Sequence, residues 1–142
     1  MFKGLFGFNV AVKKENHRET VERWAGIFGV KPVYLKPSDF AVPGIIGARL
    51  TIGGSHVHIL AGDNEKVALA QFVASKGEGV FLVSFEVDDV EKAMNEVSDK
   101  GVKFVANNPL SFPGGKANFI HPKSMNGVQM EFIQVDSSWG KG

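Results

Sequence analysis

The chain has 142 residues, enough for one domain with a buried core, and its 44% hydrophobic and 22% charged content is that of a globular protein. Sixteen basic and fifteen acidic residues leave a net charge of +1, with no long basic run to suggest nucleic-acid binding. Cysteine is absent, which excludes disulfides, thiolate metal sites and a cysteine nucleophile.

The first element is the alternating run "FNVAV" at 8–12, a strand by its period of two. The segment around it, "MFKGLFGFNVAV", lacks the long apolar core and small-residue cleavage site of a signal peptide. No apolar run in the chain approaches the ~20 residues of a membrane span. A cytoplasmic location without membrane partners is the expectation. Asn16 and Glu19 then have the spacing of a capping box, and Val21, Trp24, Ala25 and Phe28 follow at helical spacing up to Gly29. His17, in the first turn, is expected at the surface. Strands follow at 32–35, 45–51 and 56–60, the last two joined by a turn at Gly53-Gly54.

A helical stretch around Val67–Ser75 leads to a second run of the same kind. A strand ends at Val87, Asp88 and Glu91 repeat the cap spacing, and Val90, Ala93, Met94 and Val97 carry the helical period to Gly101. From cap to glycine is 13 residues in both runs. Strands are expected at 103–106, 117–120 and 128–134, with Asn126-Gly127 turning into the last. "PGGKANF" at 113–119 is glycine-rich but precedes no helix that could present amides to a phosphate. His121 reads as a structural turn residue. The tail at 136–142 reads as a mobile end with Trp139 against a partner chain.

The chain is thus α+β, one domain over 1–142 made of two βαβββ modules. These occupy about 6–61 and 79–134, with a linker helix at about 65–76. In register, "HVHIL" at 56–60 matches "QMEFI" at 129–133, so His58 corresponds to Glu131 and His56 to Gln129. Gly7 corresponds to Leu82, and Asn9 to Ser84. Modules packed around a pseudo-two-fold would bring these strand positions to one cavity in a cupped sheet, a histidine from one half and a carboxylate from the other.

Paired βαβββ modules with polar residues at these positions resemble the vicinal oxygen chelate, or glyoxalase/bleomycin-resistance, superfamily. The similarity is strongest to its methylmalonyl-CoA epimerase-like branch. The residues that carry it are "SKGEGVFLVSFEVDDVEKAMNEVSDKGVKFV" at 75–105, "FIHPKSMNGVQMEFIQ" at 119–134 and "GFNVAV" at 7–12. The resemblance implies four metal-ligand positions, which here are Gly7, His58, Leu82 and Glu131, and a glutamate base at a position that is Gly47. Two ligand positions and the base position therefore carry no suitable donor. The expected activity is a metal-independent racemase or epimerase without cofactor, moving a proton at a carbon alpha to a carbonyl.

In that reading His58 and Glu131 exchange the proton, since an imidazole near its ordinary ~6.5 serves as acid or base and a desolvated carboxyl is its counterpart. Asn9, Arg49 and His56 are the expected oxyanion donors, and Phe81, Leu82 and Gln129 complete the substrate-binding set. Glycine at 7 and 47 beside Phe6, Phe8 and Phe81 suggests a widened, apolar pocket. That favours an aromatic ketone, such as the isoflavanone dihydrodaidzein, as the small-molecule substrate. Two alternatives stand beside it: a metal-dependent methylmalonyl-CoA-type epimerase, and a metal-free binding protein of the bleomycin-resistance kind. A homodimer is expected from the superfamily habit of pairing modules.

Overall fold

A computed structural model describes residues 1–141. The chain divides into two compact units, Gly7–Phe81 and Leu82 onward, the second also containing Met1–Phe6. Each is close to one expected module, but the first strand contributes to both.

The unit at Gly7–Phe81 contains the end of β1 (Phe2–Ala11), then α1 (His17–Phe28), β2 (Val33–Tyr34), β3 (Ile45–Ile52), β4 (Ser55–Gly62) and α2 (Ala68–Lys76). Its strands run in the order β2-β3-β4-β1, with β1 parallel to β4 and the other pairs antiparallel. Alternation sorts the sheet into two faces. On one, Val10, Ala48, Leu50, Val57 and Ile59 are buried with Val21 and Ala25 of α1. On the other, Ala11 and Leu60 pack with Leu69 and Val73 of α2, and with Phe40, Phe72 and Phe81. The rest of that second face is polar.

The other unit contains β5 (Gly79–Val87) from Leu82 on, its first three residues belonging to the unit at Gly7–Phe81, then α3 (Val90–Val97), β6 (Leu110–Phe112), β7 (Gly115–Ile120) and β8 (Met130–Val135). Strand order is β5-β8-β7-β6, again with a parallel pair, β5 with β8, and antiparallel partners beyond it. Val90 and Ala93 of α3 cover Val87, Ile120 and Phe132, while Ala117 and Ile133 on the opposite face pack with Phe6 and Trp139.

Several expectations are corrected. His17 is 5% exposed, not at the surface, and its Nε2 lies 2.8 Å from the Ile59 carbonyl, tying α1 to β4. Asn16 makes no side-chain cap bond; its amide donates to Glu78, and a 3-10 turn at Lys14–Asn16 precedes the helix. The α3 cap is Asp89 rather than Asp88, its carboxylate accepting from the Lys92 N–H at 3.0 Å. The strand expected at 103–106 is reduced to a bridge between Phe104 and Ile120. Beyond it the fully buried Asn118 side chain hydrogen-bonds both the N–H and the carbonyl of Ala106, which replaces further strand pairing. The partner strand of that edge is β6. The tail is not free either: the Trp139 ring lies edge-on to Phe6 at 5.2 Å within the same chain.

Candidate functional site

Strand register places the expected residues in rows. Across β1, β4 and β3 one row reads Asn9, His58, Arg49, and the next reads Gly7, His56, Thr51. Residues paired across neighbouring strands project to the same face, so this polar patch adjoins the apolar row Ala11, Leu60, Gly47. In the other unit, β5, β8 and β7 align Ser84, Glu131 and Phe119. The pair Asn9 with His58 and the pair Ser84 with Glu131 therefore hold the same position in their respective units, as the sequence repeat requires.

Glu131 is a buried, strongly perturbed carboxyl. The Ser84 hydroxyl, on a residue only 1% exposed, donates to its Oε1 at 2.6 Å. Burial pushes the carboxyl up to about 7, against the opposing effect of that hydrogen bond. With Oε1 already accepting, a proton on this acid sits at Oε2. Ser84 was recognisable from the repeat as the counterpart of Asn9, but its bond to Glu131 required the pairing of β5 with β8.

His58 departs from the expectation of an acid–base imidazole. Burial lowers it to about 3, and the nearby charges of Arg49 and His56 add to the drop. At neutral pH it is an uncharged ring, a hydrogen-bond donor and a weak base. His56 has its Nδ1 3.1 Å from Thr51 Oγ1. Arg49 is 9% exposed, its pKa lowered by desolvation and partly restored by Asp39.

The remaining expected residues differ in placement. Phe81 stacks edge-on to Phe72 at 5.1 Å in the layer under α2, and Leu82 is 3% exposed. Gln129 is half-buried and its carbonyl accepts from the Val83 N–H. Gly7 and Gly47 do not widen a pocket. A Cβ on Gly7 would lie 1.7 Å from the His56 carbonyl oxygen, and one on Gly47 would lie 2.5 Å from the Phe40 ring and 2.8 Å from Leu60. Backbone fills the first space and side chains the second. His121 is structural, its Nδ1 accepting from the Lys123 N–H at the start of a 3-10 turn.

The same contacts test a divalent ion of the kind the resemblance implies. Gly7 admits no side chain, Leu82 offers no donor, and among the described residues no three His, Asp or Glu are grouped to hold a metal. The donor set does not fit a divalent ion.

The Glyoxalase/Bleomycin resistance protein/Dioxygenase superfamily matches residues 9–119. The chain belongs to this superfamily. It is 25% identical over 125 residues to the mitochondrial methylmalonyl-CoA epimerase of Dictyostelium discoideum, covering 87% of this chain and 74% of that one. The structure is similar to methylmalonyl-CoA epimerase from Mycobacterium tuberculosis, with a TM-score of 0.84, 23% identity, and coverage of 99% of this chain and 93% of that one. It is also similar to a Streptomyces coelicolor methylmalonyl-CoA epimerase in complex with 2-nitronate-propionyl-CoA, with a TM-score of 0.82, 23% identity, and coverage of 96% and 100%. At such identities the structural likenesses establish the glyoxalase-like α+β fold. Among the described residues, no helix is long and apolar enough to cross a membrane.

Proposed function

We propose that the chain is an epimerase acting at the carbon alpha to the carbonyl of an acyl thioester, with Glu131 as the proton-transfer group. The supporting observation is the Ser84-bound carboxyl, held near a pKa of about 7, where it can take or give a proton at neutral pH. The Cα–H bond breaks and its proton passes to Glu131 Oε2. The electron pair moves into the C–C bond and onto the carbonyl oxygen as an enolate. After the enolate turns, return of the proton from Oε2 to the opposite face of the planar carbon inverts the centre.

His58 in this reading does not carry the proton. Burial holds its ring neutral at pH 7.

Acyl thioesters are favoured over aromatic ketones for two reasons. The named relatives are methylmalonyl-CoA epimerases, and the volume that glycines 7 and 47 were expected to free is already occupied.

Exchange of the α-hydrogen of methylmalonyl-CoA in deuterated water, followed by NMR, tests the proposal. Glu131→Gln is expected to lower exchange at least about 1000-fold. Exchange undiminished in Glu131→Gln overturns the assignment.

A further inference from the structure

The Asn126-Gly127 pair that turns the chain into β8 has a chemistry that the epimerase reading does not use. Asn126 is the one asparagine of the chain that precedes a glycine. Glycine has no Cβ to hinder its amide nitrogen, and a Cβ built on Gly127 would meet open space. Both residues are exposed, so water reaches them. Main-chain hydrogen bonds hold the turn. The Asn126 and Gly127 N–H groups both donate to the Pro122 carbonyl, the second at 2.8 Å, and the Val128 N–H donates to the Met125 carbonyl at 3.0 Å. Asn126 lies in the left-handed region, with φ 57° and ψ 34°, a conformation that asparagine tolerates. That ψ turns the Gly127 nitrogen nearly anti to the Asn126 Cβ, out of reach of the side-chain carbonyl.

We propose that Asn126 is a deamidation site that the fold keeps latent, reactive only when the turn at 122–127 opens. In the opened chain the Gly127 nitrogen gives its proton to hydroxide and bonds to Asn126 Cγ. The Cγ–Nδ2 bond breaks and ammonia leaves. Water then opens the cyclic imide at either carbonyl. Hydrolysis at Cγ gives aspartate with the backbone unchanged. Hydrolysis at the main-chain carbonyl gives isoaspartate, whose backbone runs through Cβ and Cγ and is longer by one carbon. In the closed turn the attacking N–H is already donated to Pro122 and the rotation about Cα–C is wrong, so both requirements fail together. The isoaspartyl product also acts on the strand that follows. The Val83 N–H bonds the Gln129 carbonyl at 3.0 Å, where β5 takes hold of the segment entering β8. A backbone carbon added ahead of that point displaces β8 along β5. Aspartate, which also tolerates the left-handed region, leaves it in register.

The purified chain is held in mildly alkaline buffer, folded in one arm and unfolded in urea in the other. The tryptic peptide 124–141 is followed by mass spectrometry, with fragmentation separating aspartate from isoaspartate at 126. Unfolded chain is expected to deamidate at Asn126 at least about 10-fold faster than folded chain. Equal rates in the two arms overturn the latency, and an unreactive Asn126 in urea overturns the site. Chain aged in urea and then refolded tests the effect on β8. Its isoaspartyl fraction should unfold about 4 °C or more below unaged chain, whereas Asn126→Asp should unfold within about 1 °C of it. An isoaspartyl fraction as stable as unaged chain overturns the displacement of β8. So does an Asn126→Asp variant that melts as low as the isoaspartyl fraction, since the loss would then come from the charge.

Discussion

Glu131 and His58 are perturbed in opposite senses, and pH dependence of stability separates them. Glu131 keeps its proton in the fold up to about pH 7, but only to the ordinary 4.5 when unfolded. The folded state holds the extra proton between these values, so stability falls as pH rises through that window, by up to about 3 kcal/mol. For His58 the folded value is about 3 against 6.5 unfolded, so the unfolded state binds the extra proton. Its contribution is complete above 6.5 and is lost as pH falls toward 3, on the order of 5 kcal/mol. Between 4.5 and 6.5 the two slopes oppose each other. Urea unfolding from pH 4 to 8 should therefore be nearly flat through the middle for the wild type. His58→Gln should become more stable as pH falls from 7 to 4.5, and Glu131→Gln should become less stable below 6.5. Gly7 provides a second test at this scale. The atom that blocks a side chain there is backbone, which cannot rotate away, so Gly7→Ala is expected to cost about 3 kcal/mol or more. Gly47→Ala meets only side-chain atoms and should cost less than half of that, as read by denaturant midpoints.

Among the elements, two helix starts that look alike in sequence are held differently. Asp89 caps α3 through its carboxylate, so Asp89→Ala should cost about 1 kcal/mol. Asn16 caps nothing and instead reaches Glu78, so Asn16→Ala should cost less than about 0.5 kcal/mol in the same thermal-unfolding assay. The repeat was legible because period-two and period-3.6 patterns recur at matching spacings. The correspondence it implied, Asn9 with Ser84 and His58 with Glu131, is kept in the strands, where Asn9 pairs with His58 and Ser84 with Glu131. What spacing did not reveal were the consequences of packing. His17 looked like a surface residue because its helix neighbours are charged, whereas its ring reaches across to β4. The stretch at 103–106 has strand composition, but a single asparagine on β7 captures its backbone. A glycine in a strand reads as empty space until the backbone occupying that space is seen, and an imidazole reads as a switch near 6.5 until its burial, with a guanidinium's charge beside it, is seen.

At the scale of the whole molecule, the superfamily's paired modules are present as two compact units, but the divide does not follow chain order. Phe6 packs with Ala117, Ile133 and Trp139, so the start and end of the chain stabilise one core. Trp139→Ala is expected to cost about 2 kcal/mol, and removal of residues 136–142 at least as much, measured by chemical denaturation. The opening segment is bound in the same way: the Met1 carbonyl accepts from the Asp88 N–H at 3.1 Å, and the Phe2 ring meets Phe132 edge-on at 5.1 Å. During synthesis Phe2 is made long before Phe132, a delay of roughly 6 to 26 seconds at ordinary elongation rates. Over that interval Phe2 and Phe6 have no native partner to dock against, so this core closes only after β8 has been made.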